Sequence, residues 1–434
     1  MPPVLHVIDP ALRGVAGHYL SQHAALWHLC RQHGYAMHSY GHAAFDPASL
    51  PPGTGFTALF DDTRPNDRIG HFVTDASQAN LQCHDGLSRL DAGHFAPEDL
   101  ILLTTATIRN VLGYGRWLQD AAAGLACPVG IYCTLSAELD DTVGRALRRD
   151  QVAIDDAGFD LLDSIVVPNE FKRSAYRYMF RQVPRDRRNR YAVFYEEPFP
   201  SRSLLDSLGA DGIRFHSLRS MYQGGDHEKA DPASVGRRTI AFLGSGGLAE
   251  GEKGWHRIVE IVQQVLEQRD DVRFTIHAGG RMAPAVEQAL RDLGRRHDGQ
   301  DRVDLLFGAL DSAAYCAFLE RADMVCLPYG DRYRHVMSGV FDDCAFLGTV
   351  AVVPAASKMA RWMDVHNLTP ACFQEASPAG IAATLVDALA DFDRHRETFR
   401  RTREIARAGF RRNNPVAVLS AMNPAAGRRD RASA

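Results

Sequence analysis

The residues best suited to chemistry stand in the second half of the chain. Lys253, with Gly254 after it, separates a glycine-rich loop, Gly244-Ser245-Gly246-Gly247, from a helical pattern carrying Trp255, Ile258, Val259, Ile261, Val262 and Val265. An ammonium placed there lies beside a helix N-terminus, where backbone N–H groups and the helix dipole already favour an anion. The second group is the run Asp331-Arg332-Tyr333-Arg334-His335-Val336-Met337-Ser338-Gly339-Val340-Phe341. Ser338 is a candidate N-cap, Gly339 leaves room for a phosphate near the main chain, and the amides through Val340 face the same way. Arg332 or Arg334 offers a planar fork for a second phosphate. Asp343 follows one helical turn later. Each pattern has a plainer reading: a solvated lysine, an ordinary Ser-Gly cap, a polar loop. Together they describe a place for a diphosphate whose charge grows as it leaves. A third candidate is the loop Asp9–Tyr19, with Gly14, Gly17 and His18, which also reads as a simple strand-to-helix turn.

These groups hang on short apolar runs. Thr239–Leu243, Phe274–Gly280, Ala322–Tyr329 and Leu347–Pro354 read as strands, each followed by a helical pattern. In the first half, residues 4–8 read as a strand and 18–32 as its helix, with further strands at 101–104, 129–132 and 164–167. This alternation predicts an α/β chain with mostly parallel, doubly wound sheets. The rhythm fades over 202–236, which reads as a linker. Residues 376–412 are helix-rich and charged, and the tail from Asn413 reads as frayed.

Bulk composition bounds the rest. The 434 residues are 45% apolar with a net charge of -4, which suits a globular protein of about two domains and gives no general pull toward nucleic acid. Eight cysteines are scattered without a Cys-x-x-Cys pair, so neither a disulfide framework nor a zinc module is indicated and a reducing, cytoplasmic setting is expected. No apolar run is long enough to span a bilayer, and Met1–Asp9 reads as a first buried strand rather than a secretion leader. Histidines 18, 23, 28, 33 and 38 recur in steps of five, which turn roughly 140° on a helix and share no face, so no metal site is expected there. The stretch 172–190 is strongly basic with Tyr176, Tyr178 and Phe180 interleaved; it suits a solvated face or peripheral contact with an anionic membrane. No Gly-x-Ser-x-Gly elbow follows a strand, and no Gly-x-Gly-x-x-Gly follows the first strand, which argues against a hydrolase or a dehydrogenase.

Taken in order, the motifs from 238 to 356 resemble the donor-binding half of a GT-B glycosyltransferase, of the large retaining family that includes sucrose- and trehalose-phosphate-type synthases. The resemblance implies two Rossmann-like domains facing a central cleft: an acceptor-side domain over 1–225, a nucleotide-sugar-binding domain over 226–395, a helix crossing back over 396–412 and a flexible tail over 413–434. It implies a nucleotide-diphosphate-sugar donor, no metal, and a glycan, lipid-linked or small-molecule acceptor. Gly14, Gly17, Gly244, Ser245, Lys253, Arg332, Arg334, Ser338, Gly339, Val340 and Asp343 would line the donor. In that family two glutamates eight positions apart bracket the second motif, one facing the transferred sugar and one the ribose. Here His335 and Asp343 occupy those positions, so His335 becomes the catalytic candidate and Asp343 the ribose ligand. These departures, with Ser-Gly-Val-Phe at 338–341, argue for a subgroup. Two alternatives stay open: a sugar-nucleotide epimerase, and a catalytically silent scaffold that binds nucleotide or glycan.

Overall fold

The computed structural model describes residues 2–14, 18–61, 72–133, 169–195, 206–218, 236–245, 253–279, 282–308, 310–334 and 337–425. Strand β1 (Val4–Ile8) is followed by α1 (His18–Gln32), β2 (Ala36–His42), β3 (Gly55–Phe60), α2 (Phe72–Leu87), β4 (Leu100–Ala106), α3 (Val111–Ala121), β5 (Val129–Cys133), α4 (Asn169–Arg181), β6 (Tyr191–Tyr195) and β7 (Arg214–Ser217). The seven strands pair in parallel in the order β3-β2-β1-β4-β5-β6-β7. The near-continuous apolar sequences of the inner strands β4, β5 and β6 follow from burial on both faces. Leu5, Val7, Leu100 and Leu102 enter one core, whereas Ile8, Ile101, Leu103 and Ile131 enter another, as the two-residue period of a strand requires.

The second half repeats the plan. Its elements are β8 (Arg238–Ser245), α5 (Ile258–Gln268), β9 (Val272–Gly279), α6 (Pro284–Arg296), β10 (Val303–Phe307), α7 (Ser312–Arg321), β11 (Met324–Cys326), α8 (Gly339–Leu347), β12 (Val350–Pro354), α9 (Lys358–Val365), β13 (Ala371–Phe373) and α10 (Pro378–Ala390). Helices α11 (Phe392–Asn413) and α12 (Pro415–Met422) end it. The sheet is parallel, ordered β10-β9-β8-β11-β12-β13. Helix α5 buries Ile258, Ile261, Val262 and Val265, one stripe at helical spacing. Helix α8 stops at Gly348, whose φ of 76° suits a residue without a side chain. The chain divides into two compact units, one built on each sheet; the second extends to Ala408, and from Gly409 the chain belongs to the first.

Three sequence expectations change here. The supposed linker contains β7, an edge strand whose polar sequence Arg-Phe-His-Ser hides it, paired with β6 through Ala192 and Arg214. The supposedly frayed tail contains α12: Val416, Val418 and Leu419 join the core of Leu5, Val7 and α1, and Asn414 caps the helix by accepting from the Ala417 amide. The basic stretch is turned inward. Lys172, Tyr176 and Phe180 are fully buried, while Arg177, Arg187, Arg188 and Arg190 donate to the carbonyls of Ser207, Leu125, Asp211 and Ala126. Those groups are committed within the fold, while Arg181 and Arg185 of the same stretch are exposed. Among the described residues no helix is long and apolar enough to cross a membrane. The expected strand at 164–167 lies outside the described residues.

Candidate functional site

In the second sheet β8 and β11 are neighbours, and the chain runs from β8 toward β9 but from β11 toward β12. Loops leaving the carboxyl ends of such a pair diverge and open a crevice, the usual ligand position in an open α/β sheet. Both loops carry predicted residues. Gly244, near the end of β8, has φ 144°, and a β-carbon there would stand 3.6 Å from the Lys253 ammonium nitrogen. The ammonium therefore lies over the main chain at Gly244, at the mouth of the crevice. Ser245 ends β8, with its side chain outside the described residues. Gly254, at φ 70°, packs so closely on the end of β11 that a β-carbon would collide with the Pro328 carbonyl oxygen.

The opposite lip is the start of α8. Ser338 caps it, its Oγ accepting from the Phe341 amide at 3.4 Å and lying 3.2 Å from the Tyr329 hydroxyl. Tyr329 in turn stacks on Tyr333, ring centroids 3.9 Å apart. Ser338 is buried and its hydroxyl is spent on the cap. The first-turn amides of Gly339 and Val340 have no intrahelical acceptor by construction of a helix, and space is open around the Gly339 α-carbon. Ser338→Ala should therefore lower stability by about 1 kcal/mol, the usual worth of an N-cap, as read by denaturant unfolding.

Of the two arginines expected at the donor, only Arg334 has its side chain among the described residues. Arg334 is exposed and its guanidinium pairs with Asp331 at 3.0 Å, while its carbonyl accepts from Arg361. Its fork is spent inside its own loop, as charged neighbours three apart in a helical turn allow. Arg332 lies in the same 3-10 turn, Asp331–Arg334, with its side chain outside the described residues, and His335 also lies outside them. The cation that sequence reading missed is Arg257. It donates to the Pro328 carbonyl at 3.4 Å, at the end of β11, and burial lowers its pKa while Asp331 raises it. It follows Lys253 by four residues, at the end of the 3-10 turn Trp255–Arg257 that Gly254 opens.

Asp343 lies partly buried on α8, with its Oδ2 accepting from the Tyr315 hydroxyl at 2.7 Å. Burial pushes its carboxyl up to about 7; the Tyr315 hydrogen bond works against this and the Asp342 charge adds to it. Because an unfolded aspartate titrates near about 3.9, the folded chain holds this proton more tightly. Stability from this group is thus full below about pH 4, falls as pH rises toward 7, and is level above that. Asp343→Asn removes the slope, so the variant should gain on wild type in melting temperature between pH 5 and pH 8.

The first sheet has its own reversal of strand order between β1 and β4. Asp9, fully buried at the end of β1, accepts from the Ala11 amide (3.0 Å) and Thr105 hydroxyl (3.0 Å) through Oδ1, and lies 3.2 Å from His23 Nε2 through Oδ2. His23 Nδ1 lies 2.9 Å from the Ser39 hydroxyl. Thr105 has φ 52°, a costly conformation for a β-branched residue; Asn110 fixes the turn by donating to its carbonyl. Sequence reading took His23 as one of five evenly spaced histidines, named Asp9 as the first residue of the loop Asp9–Tyr19, and did not single out Thr105. Gly14 is exposed in the loop after β1; Gly17 lies outside the described residues. Among the described residues no group of three or more His, Cys, Asp or Glu is placed to hold a metal ion.

No protein-family model matches this chain, and no curated protein sequence matches it. Solved structures do. The chain is similar to a UDP-forming α,α-trehalose-phosphate synthase from Burkholderia vietnamiensis (12% identity, TM-score 0.56, 98% of each chain covered). It is similar to a sucrose-phosphate synthase from Thermosynechococcus elongatus (13%, 0.53, 100% of each chain). It is also similar to a protein described as a UDP-N-acetylglucosamine 2-epimerase from Listeria monocytogenes (12%, 0.53, 92% of this chain and 91% of that one). Likeness at such identities speaks to the fold, and the fold is the two-sheet α/β architecture of GT-B glycosyltransferases.

Proposed function

We propose that this protein is a glycosyltransferase that moves a sugar from a nucleotide-diphosphate donor to an acceptor with retention of anomeric configuration. The observation that supports the reading is that neighbouring strands β8 and β11 lead, at their carboxyl ends, to the Lys253 ammonium beside Gly244 and to the Ser338-capped start of α8. A diphosphate gains charge as the glycosidic bond breaks, and donors fixed in advance around it stabilise that charge without reorganising. Lys253 neutralises one phosphate, Gly339 and Val340 donate to the other, and Arg257 supplies the second cation assigned from sequence to Arg332 or Arg334. Asp343 takes the ribose hydroxyls. Retaining transfer needs no strong side-chain base, because the departing phosphate oxygen accepts the acceptor's proton on the face it leaves; on this reading His335 is the residue assigned to the transferred sugar. The reaction runs without a metal ion, on a glycan, lipid-linked or small-molecule acceptor of the kind used to assemble surface polysaccharide.

The epimerase-like neighbour keeps a second reading in play, since an epimerase would hold the same donor. The carboxyl of Asp343, near 7, is the described group suited to exchanging a proton at neutral pH. The test is incubation with UDP-, GDP-, ADP- and dTDP-sugars in the presence of a chelator, followed by proton NMR. Release of nucleotide with a product of unchanged anomeric configuration supports the transferase. A new sugar still attached to nucleotide supports the epimerase, and donors left intact under all conditions contradict both.

A further inference from the structure

We infer that Tyr315 is the positioning residue that sets the Asp343 carboxylate for a ribose diol, so that the pair selects nucleotides bearing both ribose hydroxyls. The inference rests on the donor site proposed above and adds the element that would make it discriminate.

The geometry begins with two helices. Tyr315 lies in the first part of α7, whose start is fixed by Asp311 accepting from the Ala314 amide at 2.8 Å. One turn further along, Phe318 is buried and meets the ring of His277 edge-on, centroids 5.9 Å apart. His277, at the end of β9, lies 2.8 Å from the Gly308 carbonyl through Nε2. Tyr315 thus projects from a helix pinned to the neighbouring strand, and its hydroxyl reaches Asp343 on α8 at 2.7 Å. Oδ2 of Asp343 is occupied by that bond; among the described residues Oδ1 has no hydrogen-bond partner. A carboxylate oxygen has two lone-pair sites and a ribose presents two vicinal O–H donors, so the free oxygen suits a diol.

The bond also decides what kind of group Asp343 is. A carboxylate accepts from both hydroxyls, whereas a carboxylic acid must donate one hydrogen itself and matches the diol poorly. Burial and Asp342 both favour the protonated form, and the Tyr315 hydroxyl favours the carboxylate. Among the described residues no other ionisable group acts on the Asp343 carboxyl. Tyr329 and Cys344 act on Tyr315 rather than on Asp343, and burial holds His277 toward its neutral form. On α11, Arg403 packs at Gly348 and Arg407 donates to the Phe346 carbonyl, both at the far end of α8.

The test is titration calorimetry of UDP, GDP and ADP beside their 2′,3′-dideoxy counterparts at pH 6.5 and 8.5. Wild type, Tyr315→Phe, Asp343→Asn and the double variant are compared, with melting temperature checked for each. The expected result is a preference for the ribonucleotide in wild type that grows with pH. In Tyr315→Phe that preference falls about tenfold at pH 6.5, the worth of one hydrogen bond to a charged group, and returns at pH 8.5. Dideoxynucleotide affinity is unchanged throughout. Asp343→Asn removes the preference and its pH dependence, and adding Tyr315→Phe to it changes nothing more. If Tyr315→Phe weakens ribo- and dideoxynucleotides alike, or equally at both pH values, the tyrosine only supports the fold and the inference is wrong. If wild type prefers the ribonucleotide and Tyr315→Phe behaves identically, the inference fails while the donor site stands. If wild type binds no nucleotide, the donor site fails and takes the inference with it.

Discussion

Lys253→Ala should lose affinity for nucleoside diphosphate by about ten- to a hundredfold with little change in melting temperature. The size follows from what is removed: a hydrogen-bonding ammonium facing an anion is worth about 1.5–3 kcal/mol, and 1.4 kcal/mol is a factor of ten. Stability should hold because Lys253 is partly exposed, with its side chain beside Gly244 at the crevice. The residual affinity should depend less on salt than that of wild type, because one charge pair has gone. Calorimetric titration at two ionic strengths reads both effects. Unchanged affinity in a folded variant would mean that the diphosphate, if bound at all, sits elsewhere.

Gly254→Ala is expected to be the most damaging single-methyl change in the second unit. Two costs combine. A residue with a β-carbon at φ 70° pays about 1–2 kcal/mol, and the collision with the Pro328 carbonyl forces a main-chain shift worth about 1–3 kcal/mol more. A total of about 2–5 kcal/mol corresponds to a melting temperature roughly 5–15 °C lower in a unit of this size. Nucleotide affinity should fall with it, since any shift at Gly254 moves Lys253 off Gly244. Gly339→Ala is the informative contrast: nothing crowds its α-carbon and its conformation is ordinary. That variant should melt within about 1 kcal/mol of wild type yet bind nucleotide more weakly, because the added methyl stands where a phosphate would approach. Differential scanning calorimetry and titration of the two variants separate strain from occlusion.

How far the sequence could be read depended on whether the controlling interactions were local. Strands such as β4 and β12 were legible because burial on two faces writes them as near-continuous apolar runs, whereas β2, β3, β6, β10 and β13 were not read from the sequence. Ser338 was legible as a cap because the bond it makes lies three residues away, at Phe341. Edge strand β7 escaped because it lacks that apolar signature, and α12 because its eight residues, apolar except for Ser420, gave no period to follow; its packing on the core of Leu5 and Val7 makes it a core helix. The inward-turned part of the basic stretch was hidden for a related reason. Arginines that donate to carbonyls at Leu125, Ala126 and Asp211 look identical in sequence to arginines in solvent. The fate of Arg334 turned on Asp331, three residues before it, and that pairing was visible; the role of Arg257 turned on Pro328, seventy-one residues away, and was not. The Asp9–His23–Thr105 cluster joins three elements, and the left-handed turn at Thr105 exists only because its neighbours enforce it.

The central claim is a nucleotide site at the β8/β11 crevice, and the most direct test is hydrogen exchange of the full chain with and without saturating nucleoside diphosphate. The account predicts slowed exchange in peptides covering Leu243–Ile258 and Leu327–Asp343, with the amides of Gly339 and Val340 among the most protected. Binding that leaves those segments unchanged and slows exchange elsewhere would contradict it.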